Sequence, residues 1–536
     1  MFDGYAIIGS SNFSKGGLSG NSELNVLTKD CYPNLQAWFN NLWESDNVKD
    51  FSMELVEFIN TNVDEPKYYK SPFIVKEEPE PYAGFSMPLH LKIRDYQMEA
   101  IKSWFKSGGR GILEMATGTG KTFTALAAST KLFEQTKQLA IVIVCPYKHL
   151  VDQWSNEVKR FGLSPILCYG LRTNWENKLN SRITSFNIGA IPCFCLITTT
   201  TSFSLDSMQN ALKRLKGNVL LIADEVHHMG AKRIREKLPD NIPYRLGLSA
   251  TPDRWHDDIG SNYLRQYFEN GVVFTFGLKE AIGQYLTEYY YFPHIITLTD
   301  EECEEYFALT QKIYKRIQMG DTIDDSDSSS ILKNLLIKRA RLLSKAENKI
   351  VKLRELAIKE KDSKYNIFYC GDTTVDGERQ IEKVLQVLGN GVGMRVHPFT
   401  SDETRQERLE LLGRFKKGEL QGLVAIRCLD EGVDVPATRS AYILASSTNP
   451  REFIQRRGRI LRKSPGKEYS YIHDFIVIPR DINELNSIDV RLFNTERKLV
   501  RRELRRFKEF ADLAINGPEA RLKILEVAKA FNLLDF

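Results

Sequence analysis

The chain of 536 residues is sparing with cysteine. There are eight, the nearest two, Cys193 and Cys195, stand one residue apart inside an apolar run, and no Cys-x-x-Cys occurs. That spacing excludes a zinc ribbon and a disulfide scaffold, so reduced core cysteines in a reducing compartment are expected. Also missing are a run of about 18 apolar residues and a basic amino-terminal segment followed by an apolar one. The chain therefore reads as cytoplasmic, with no membrane partner. No charge sign dominates: 74 Lys and Arg stand against 69 Asp and Glu, a net +5 that is too mild to indicate nucleic acid by itself. No short-period repeat occurs, which excludes a solenoid. What is present, 42% hydrophobic and 27% charged residues, is an ordinary globular composition. The length suits roughly three or four domains.

Hydrophobic patterning divides the chain. Residues 1–61 carry an apolar strand, a Gly/Ser turn and two amphipathic helices, with Leu35, Trp38, Phe39, Leu42 and Trp43 at helical spacing. Residues 62–88 hold five prolines among charges, the composition of a linker. Over 89–294 short β-branched runs alternate with helical stretches, with strands expected at 112–115, 139–145, 165–169, 193–198, 219–223 and 245–248. A second set follows over 363–480, at 366–370, 394–399, 423–426, 441–445 and 469–475. Near-continuous apolar strands between helices predict parallel sheets covered on both faces, so the expected fold class is α/β with two tandem parallel-sheet domains. A helical connector is expected over 295–362, interrupted by the polar run 321–330, and a basic helical tail over 481–536.

Three strings carry chemistry. Beyond the strand at 112–115 comes Ala116-Thr117-Gly118-Thr119-Gly120-Lys121-Thr122, then a helix-forming run. Such glycines let backbone N–H groups close on phosphate at a helix N-terminus, while Lys121 would neutralise β/γ charge and the Thr122 hydroxyl would ligate Mg²⁺. The alternative is a Gly-rich turn that binds nothing; the glycine usual six residues before the lysine is Met115 here. At the end of the strand at 219–223 stand Asp224, Glu225, Val226 and His227. Carboxylates at the carboxyl end of a parallel strand suit a metal and a water, with Asp224 holding Mg²⁺ and Glu225 orienting and deprotonating the attacking water. A surface acidic pair is the bland alternative. The third string is Gln455-Arg456-Arg457-Gly458-Arg459-Ile460-Leu461-Arg462. Arg459 and Arg462, three apart, would share one helical face and reach a γ-phosphate held by the other domain, unless the string is a solvated basic helix.

In this order, and with Ile93–Gln97 (IRDYQ), Val144–Trp154 (VCPYKHLVDQW), Ile197–Thr201 (ITTTT), Leu248–Pro252 (LSATP), Ile367–Asp372 (IFYCGD) and Leu429–Pro436 (LDEGVDVP), the strings resemble the motifs of superfamily 2 helicases and translocases. The IRDYQ and DEGVDVP forms, with TPDRWHDD and YLTEYYYFP after the first domain, are most similar to the branch containing XPB, RadD and the restriction-type helicases. The resemblance implies two RecA-like domains with ATP between them and a DEAD/DEAH-type box at Asp224. It implies an adenine pocket of Arg94, Tyr96 and Gln97, phosphate contacts from Thr117, Gly118, Thr119, Gly120, Lys121 and Thr122, and nucleotide contacts from Gly432 and Asp434, the latter to the ribose. Ser249 and Thr251 would couple ATP state to domain closure, and His227 would touch Gln455 across the cleft in the closed state. Nucleic-acid phosphates would be gripped by Pro146, Lys148, Thr198, Thr199 and Thr400, with Arg427 supplying charge next to Ile426, where many relatives have threonine. The implied function is an ATP-dependent DNA helicase or duplex translocase, with ATP and Mg²⁺ as cofactors, in repair, restriction or phage defence. DNA stands ahead of RNA as the partner.

Two segments lie outside that pattern. MFDGYAIIGSSNFSKGGLSGNSELNV resembles the latter part of a phospholipase D-like catalytic motif, with Ser10, Asn12 and Glu23 matching, but the preceding His-x-Lys pair is absent and the first histidine is His90. Missing upstream sequence, a vestigial docking piece, half of a site completed by a nuclease or defence-system subunit, and an unrelated Gly/Ser turn are the readings, in which truncation ranks first. In the tail, Arg491 to Lys508 contain eight Lys/Arg and two acidic residues. Arg497, Lys498, Arg501, Arg502, Arg505 and Arg506 fall on a helix interleaved with Leu499, Leu504 and Phe507, either solvated or phosphate-contacting.

Overall fold

The computed structural model describes residues 6–9, 25–28, 84–88, 90–254, 257–319, 329–371, 374–375, 378–400, 402–426, 435, 437–445, 450–488 and 490–534. The chain forms two compact units, Met1–Pro81 and Tyr82–Phe536. In the first, the antiparallel pair β1 (Ala6–Gly9) and β2 (Asn25–Thr28) is described. Ser10, Asn12, Glu23 and the two expected helices lie outside the described residues.

The second unit holds two lobes, each an all-parallel sheet between helices. In the first lobe the strands β3 (Arg110–Met115), β4 (Leu139–Cys145), β5 (Ile166–Cys168), β6 (Cys193–Thr199), β7 (Val219–Asp224), β8 (Tyr244–Ser249) and β9 (Val272–Phe276) lie in the order β5-β6-β4-β7-β8-β3-β9. Every residue of β4 and β6 is buried, as continuous apolar strands require when helices cover both faces. Helices α1 (Asp95–Lys106), α2 (Lys121–Thr136) and α3 (Lys148–Arg160) pack Trp104, Leu132 and Trp154 on one side. Trp175, Phe186, Phe203 and Phe268 fill the other, beside α4 (Asp258–Tyr267). The sequence patterning missed β9, a half-exposed edge strand paired with β3 alone.

The second sheet runs β10-β17-β16-β11-β15-β14, from β10 (Glu288–Thr297), β11 (Asn366–Tyr369), β14 (Val396–Phe399), β15 (Gly422–Ala425), β16 (Ser440–Ile443) and β17 (Tyr469–Ile478), with a separate short hairpin β12 (Thr374–Val375) and β13 (Glu378–Arg379). Here the expected boundary at residue 294 is corrected. β10 pairs with β17 over its full length, Glu288 opposite Tyr469 through Thr297 opposite Ile478, so the chain enters the second sheet at residue 288. The connector is α5 (Asp300–Gln318), α6 (Ser329–Lys345) and α7 (Asn348–Lys359). A capping box in which Thr299 and Glu302 bond each other's backbone N–H at 3.3 and 3.1 Å starts α5.

After α8 (Pro450–Ile460) and β17 come α9 (Val490–Ala511) and α10 (Gly517–Ala530), which form the covering layer of the second sheet rather than a separate tail. Leu499, Val500, Leu504, Phe507 and Phe510 of α9 are buried in that core. Arg506 pairs through two 3.1 Å hydrogen bonds with Asp474 of β17, which is fully buried and also accepts the Tyr291 hydroxyl at 2.8 Å. Arg497 donates to the Phe531 carbonyl at 2.9 Å. Neither arginine is the solvated or phosphate-facing cation that the sequence suggested: packing of the apolar face turns both inward. Among the described residues no helix is long and apolar enough to cross a membrane.

Candidate nucleotide site between the lobes

The phosphate-loop string lies between β3 and α2. Gly118 and Gly120 have φ of 90° and 84°, a left-handed conformation that costs glycine little, and Gly120 is the residue from which α2 starts. Space imposes a second constraint: a Cβ on Gly120 would sit 2.8 Å from the Gln97 amide, and one on Gly118 would sit 3.0 Å from Leu286 and 3.2 Å from the Arg462 stem. Lys121 Nζ donates to the Met115 carbonyl at 3.2 Å and lies 3.8 Å from Glu225 Oε1. The adenine-pocket candidates brace this loop. The Tyr96 hydroxyl donates to the Thr119 carbonyl at 2.5 Å. Gln97 donates to the same oxygen at 3.2 Å and accepts from Arg94 N at 3.0 Å. Tyr96 stacks on Phe276 at 4.0 Å, and the Arg94 guanidinium lies 4.7 Å over the Tyr285 ring. The sequence did not single out Phe276 or Tyr285, which belong to β9 and to the interlobe connection.

Asp224 ends β7. One carboxylate oxygen accepts from Trp154 Nε1 at 2.8 Å and the other from the Glu225 backbone N–H at 3.1 Å. Burial first, and the Glu225 charge second, push its pKa up to about 6. Glu225 adopts φ 46°, a conformation unusual for a residue with a Cβ, and this turns its side chain into the seam. There Glu225 Oε2 accepts from Ser249 Oγ at 3.3 Å and from Gln455 Nε2 of the second lobe at 3.3 Å. Ser249 Oγ in turn lies 3.2 Å from His227 Nδ1 and accepts from Thr251 N at 3.1 Å. The cross-seam bond of Gln455 is thus to Glu225, while His227 bonds Ser249 inside the first lobe; the sequence had suggested a His227–Gln455 contact. Arg254, which the sequence offered only within the string TPDRWHDD, donates to the His227 carbonyl and, at 2.6 Å, to Asp257, which caps α4. Trp154 appeared in the sequence only as part of a motif, since an indole eight residues past Pro146 does not announce a carboxylate partner.

The arginine string sits against the phosphate loop. A Cβ on Gly458 would meet the Thr117 Cβ at 2.8 Å, which holds the helix in close approach to the loop. Arg459 lies in α8, but the helix ends at Ile460, and Arg462 instead bridges to Leu286 of the connection. The expectation that both arginines share one helical face is corrected: the turn after Ile460 brings Arg462 to Gly118 by a separate route. The turn is held by Thr287, whose N–H and hydroxyl both donate to the Leu461 carbonyl, at 2.7 and 2.9 Å. Lys467 donates to the carbonyls of Ile460 and Arg462; burial, and next the Arg439 charge, push its pKa down to about 7. Arg456 and Arg457 point elsewhere. Arg456 donates to the Ala445 carbonyl at 3.0 Å, and Arg457 is buried over Phe510.

Of the expected nucleic-acid contacts, Lys148 is exposed and Pro146 half-buried. Thr198, Thr199 and Thr400 are buried, their hydroxyls engaged with the Cys168 carbonyl, the Ser202 N–H and the Glu403 carboxylate. In this conformation the three hydroxyls bond neighbouring protein groups, Thr198 across to β5 and the other two within their own turns. Arg427, Gly432 and Asp434 lie outside the described residues.

Among the described residues no cluster of three or more His, Cys, Asp or Glu could hold a metal. Thr122 in the first turn of α2 and Asp224 at the end of β7 offer a hydroxyl and a carboxylate, hard donors of the kind that fit Mg²⁺ completed by phosphate oxygens and water. The buried hydroxyls of Thr117 and Thr251 have no hydrogen-bond partner among the described residues, as befits a site shaped for a polar ligand.

Residues 90–254 match the family described as "Type III restriction enzyme, res subunit", and residues 348–464 match "Helicase conserved C-terminal domain". The chain is 29% identical over 399 residues to "DNA 3'-5' translocase XPB2" of Sulfurisphaera tokodaii, covering 70% of this chain and 79% of that protein. It is 26% identical over 374 residues to "DNA 3'-5' helicase XPB" of Mycobacterium tuberculosis, covering 69% of this chain and 58% of that protein. Among solved structures, the DNA-bound "ATP-dependent Type ISP restriction-modification enzyme LlaBIII" aligns with TM-score 0.52 and 18% identity over 88% of this chain, a likeness of fold that spans 34% of that chain.

Proposed function

We propose that this protein, a superfamily 2 helicase or translocase related to the XPB and restriction-type branch, is a duplex-DNA motor that hydrolyses ATP with Mg²⁺ in the seam between its lobes. The enzyme class, a helicase-type ATPase, follows from the two family matches in their order along the chain. The observation that carries the finer reading is the meeting of the phosphate loop with the arginine string, Gly118 against the Arg462 stem and Glu225 hydrogen-bonded to Gln455.

Lys121 and the loop N–H groups would hold the β- and γ-phosphates from one lobe, while Arg459 and Arg462 would neutralise the γ-phosphate from the other. Bound Mg²⁺, held by Thr122 and Asp224, would supply charge neutralisation on the phosphate oxygens. Glu225 would take a proton from the attacking water as its oxygen bonds to the γ-phosphorus and the bond to the β–γ bridging oxygen breaks, giving ADP and phosphate. Gln455 reports closure of the seam to that base through the hydrogen bond they share. ATP stabilises the closed arrangement because both lobes bind the same phosphates, and loss of phosphate removes that difference in affinity.

DNA is favoured over RNA by the relatives, which are named for DNA translocation and unwinding. A repair, restriction or defence setting, with a nuclease or defence subunit as partner, is part of the same proposal. Turnover measured with duplex DNA, single-stranded DNA and RNA, alongside strand displacement, tests it. Duplex DNA should stimulate most; stimulation by RNA alone would overturn the reading.

A further inference from the structure

Helix α9 turns Glu496 and Glu503 toward its own lobe and leaves Glu509 exposed beside Lys508. Its three acidic residues are all held by guanidinium groups: Glu496 by Arg480 at 2.9 Å, Glu503 by Arg506 at 2.7 Å and Glu509 by Arg457 at 3.6 Å. Lys498, Arg501, Arg502, Arg505 and Lys508, by contrast, are exposed and make no ion pair among the described residues. Their spacing of three and four residues draws one stripe along the helix. Like charges at that spacing weaken a helix in isolation, and of the carboxylates only Glu509, exposed and four residues past Arg505, falls within the stripe.

The chemistry of the stripe selects its partner. Ten residue steps at 1.5 Å rise make about 15 Å, so the five cations stand on average about 4 Å apart along the axis. One strand of duplex DNA carries a phosphate per roughly 3.4 Å of axis. Three of the five are arginines, whose fork suits phosphate oxygens. A helix that lies on a membrane needs an apolar face to insert, and that of α9 is already buried in the lobe. The helix begins near the carboxyl end of β17, where Arg480 holds Glu496, the end of a parallel sheet at which ligands gather.

We infer that the outward face of α9 is a second phosphate track, which holds duplex DNA along the flank of the second lobe while the top of the two lobes engages it; this rests on the DNA-motor reading. The test uses the full chain carrying R501Q/R502Q/R505Q and measures affinity for a DNA duplex without nucleotide between about 50 and 200 mM salt. Three lost contacts at about 0.9 each should lower the log–log salt slope by roughly 2.7. ATP turnover without nucleic acid and the unfolding midpoint should stay unchanged. Should the triple variant fold poorly, K498Q/K508Q gives an independent reading, with an expected fall of roughly 1.8. An unchanged slope in a folded variant overturns the track, and so does a variant that loses only binding to vesicles of acidic lipid. Lys121→Ala separates the two readings: retained turnover there defeats the motor, whereas a Lys121-dependent motor with an unchanged slope defeats the track alone.

Discussion

Helices α8 and α9 are both arginine-rich, Arg456-Arg457-Gly458-Arg459 in one and Arg501-Arg502-Glu503-Leu504-Arg505-Arg506 in the other, and the fold uses their charges in opposite ways. In α8 the first two arginines turn into their own lobe, and the segment from Gly458 onward meets the phosphate loop of the other lobe. In α9 the inward arginines pair with buried carboxylates and carbonyls, and the outward ones meet solvent. The difference teaches that an arginine's work is set by what desolvates it: a carboxylate makes it a structural pin, a phosphate loop makes it part of a ligand site, and open solvent leaves it available to a polyanion.

The comparison breaks most severely if the seam where α8 and the turn after it meet the phosphate loop proves dispensable. Arg462→Ala and Lys121→Ala are each expected to lower DNA-stimulated turnover by roughly 10³-fold or more with little change in unfolding midpoint. Wild-type turnover in either would remove the seam as the site. Next is the structural pin of α9. Arg506→Gln leaves Asp474 buried and unpaired and should cost about 3–5 kcal/mol in urea unfolding, whereas Arg506→Met combined with Asp474→Leu should recover most of that. If the single and double variants unfold alike, the pair is not what anchors the helix.

A smaller effect sharpens the contrast between the two faces of β17. Asp474 faces Arg506, while the adjacent His473 stacks on Tyr442 and bonds His294 at 3.1 Å. Burial pushes His473 down to about 3 and His294 down to about 4. Both are neutral in the fold and would take up protons near 6.5 once unfolded, so their contribution is present above that pH and is lost as pH falls toward 4. Stability should therefore drop by on the order of 2 kcal/mol per histidine between pH 7 and 5. Replacing both histidines with phenylalanine should remove most of the drop, and an undiminished acid limb would sink the assignment. Smallest of all, Lys467→Met frees the turn that carries Arg462 and should reduce kcat by roughly tenfold, the equivalent of about one hydrogen bond, with KM for ATP little changed. A rise in KM alone would place Lys467 in nucleotide binding instead.

Much of the fold was legible because continuous apolar strands between amphipathic helices have few solutions other than covered parallel sheets. The strands missed or misassigned were those without that signature. β9 is half-exposed at an edge, and β10 follows the first sheet in sequence but hydrogen-bonds along β17, nearly two hundred positions later, in the second. In the site, Gly118, Gly120, Lys121, Asp224 and Glu225 could be singled out from local order alone, since phosphate binding and metal binding need those residue types in adjacent positions. Trp154, Arg254, Phe276 and Tyr285 could not, because each acts on a residue distant in sequence: Trp154 on Asp224, Arg254 on His227, and the two rings on Tyr96.

By itself, the order of residues determined which chemistry this protein has available: a glycine turn with a lysine, a strand ending in two carboxylates, and two strings of arginine. Only the folded chain decided how those charges are spent, because the partner that buries, pairs or exposes a guanidinium comes from another strand or another lobe. Arg506 became a pin when β17 brought Asp474 beneath it, and Arg462 reached the phosphate loop when the turn after Ile460 was clasped by Thr287 and Lys467. Periodicity along a helix gives the face a side chain occupies; the desolvation and the opposing charge it meets there are set by the packing of distant segments.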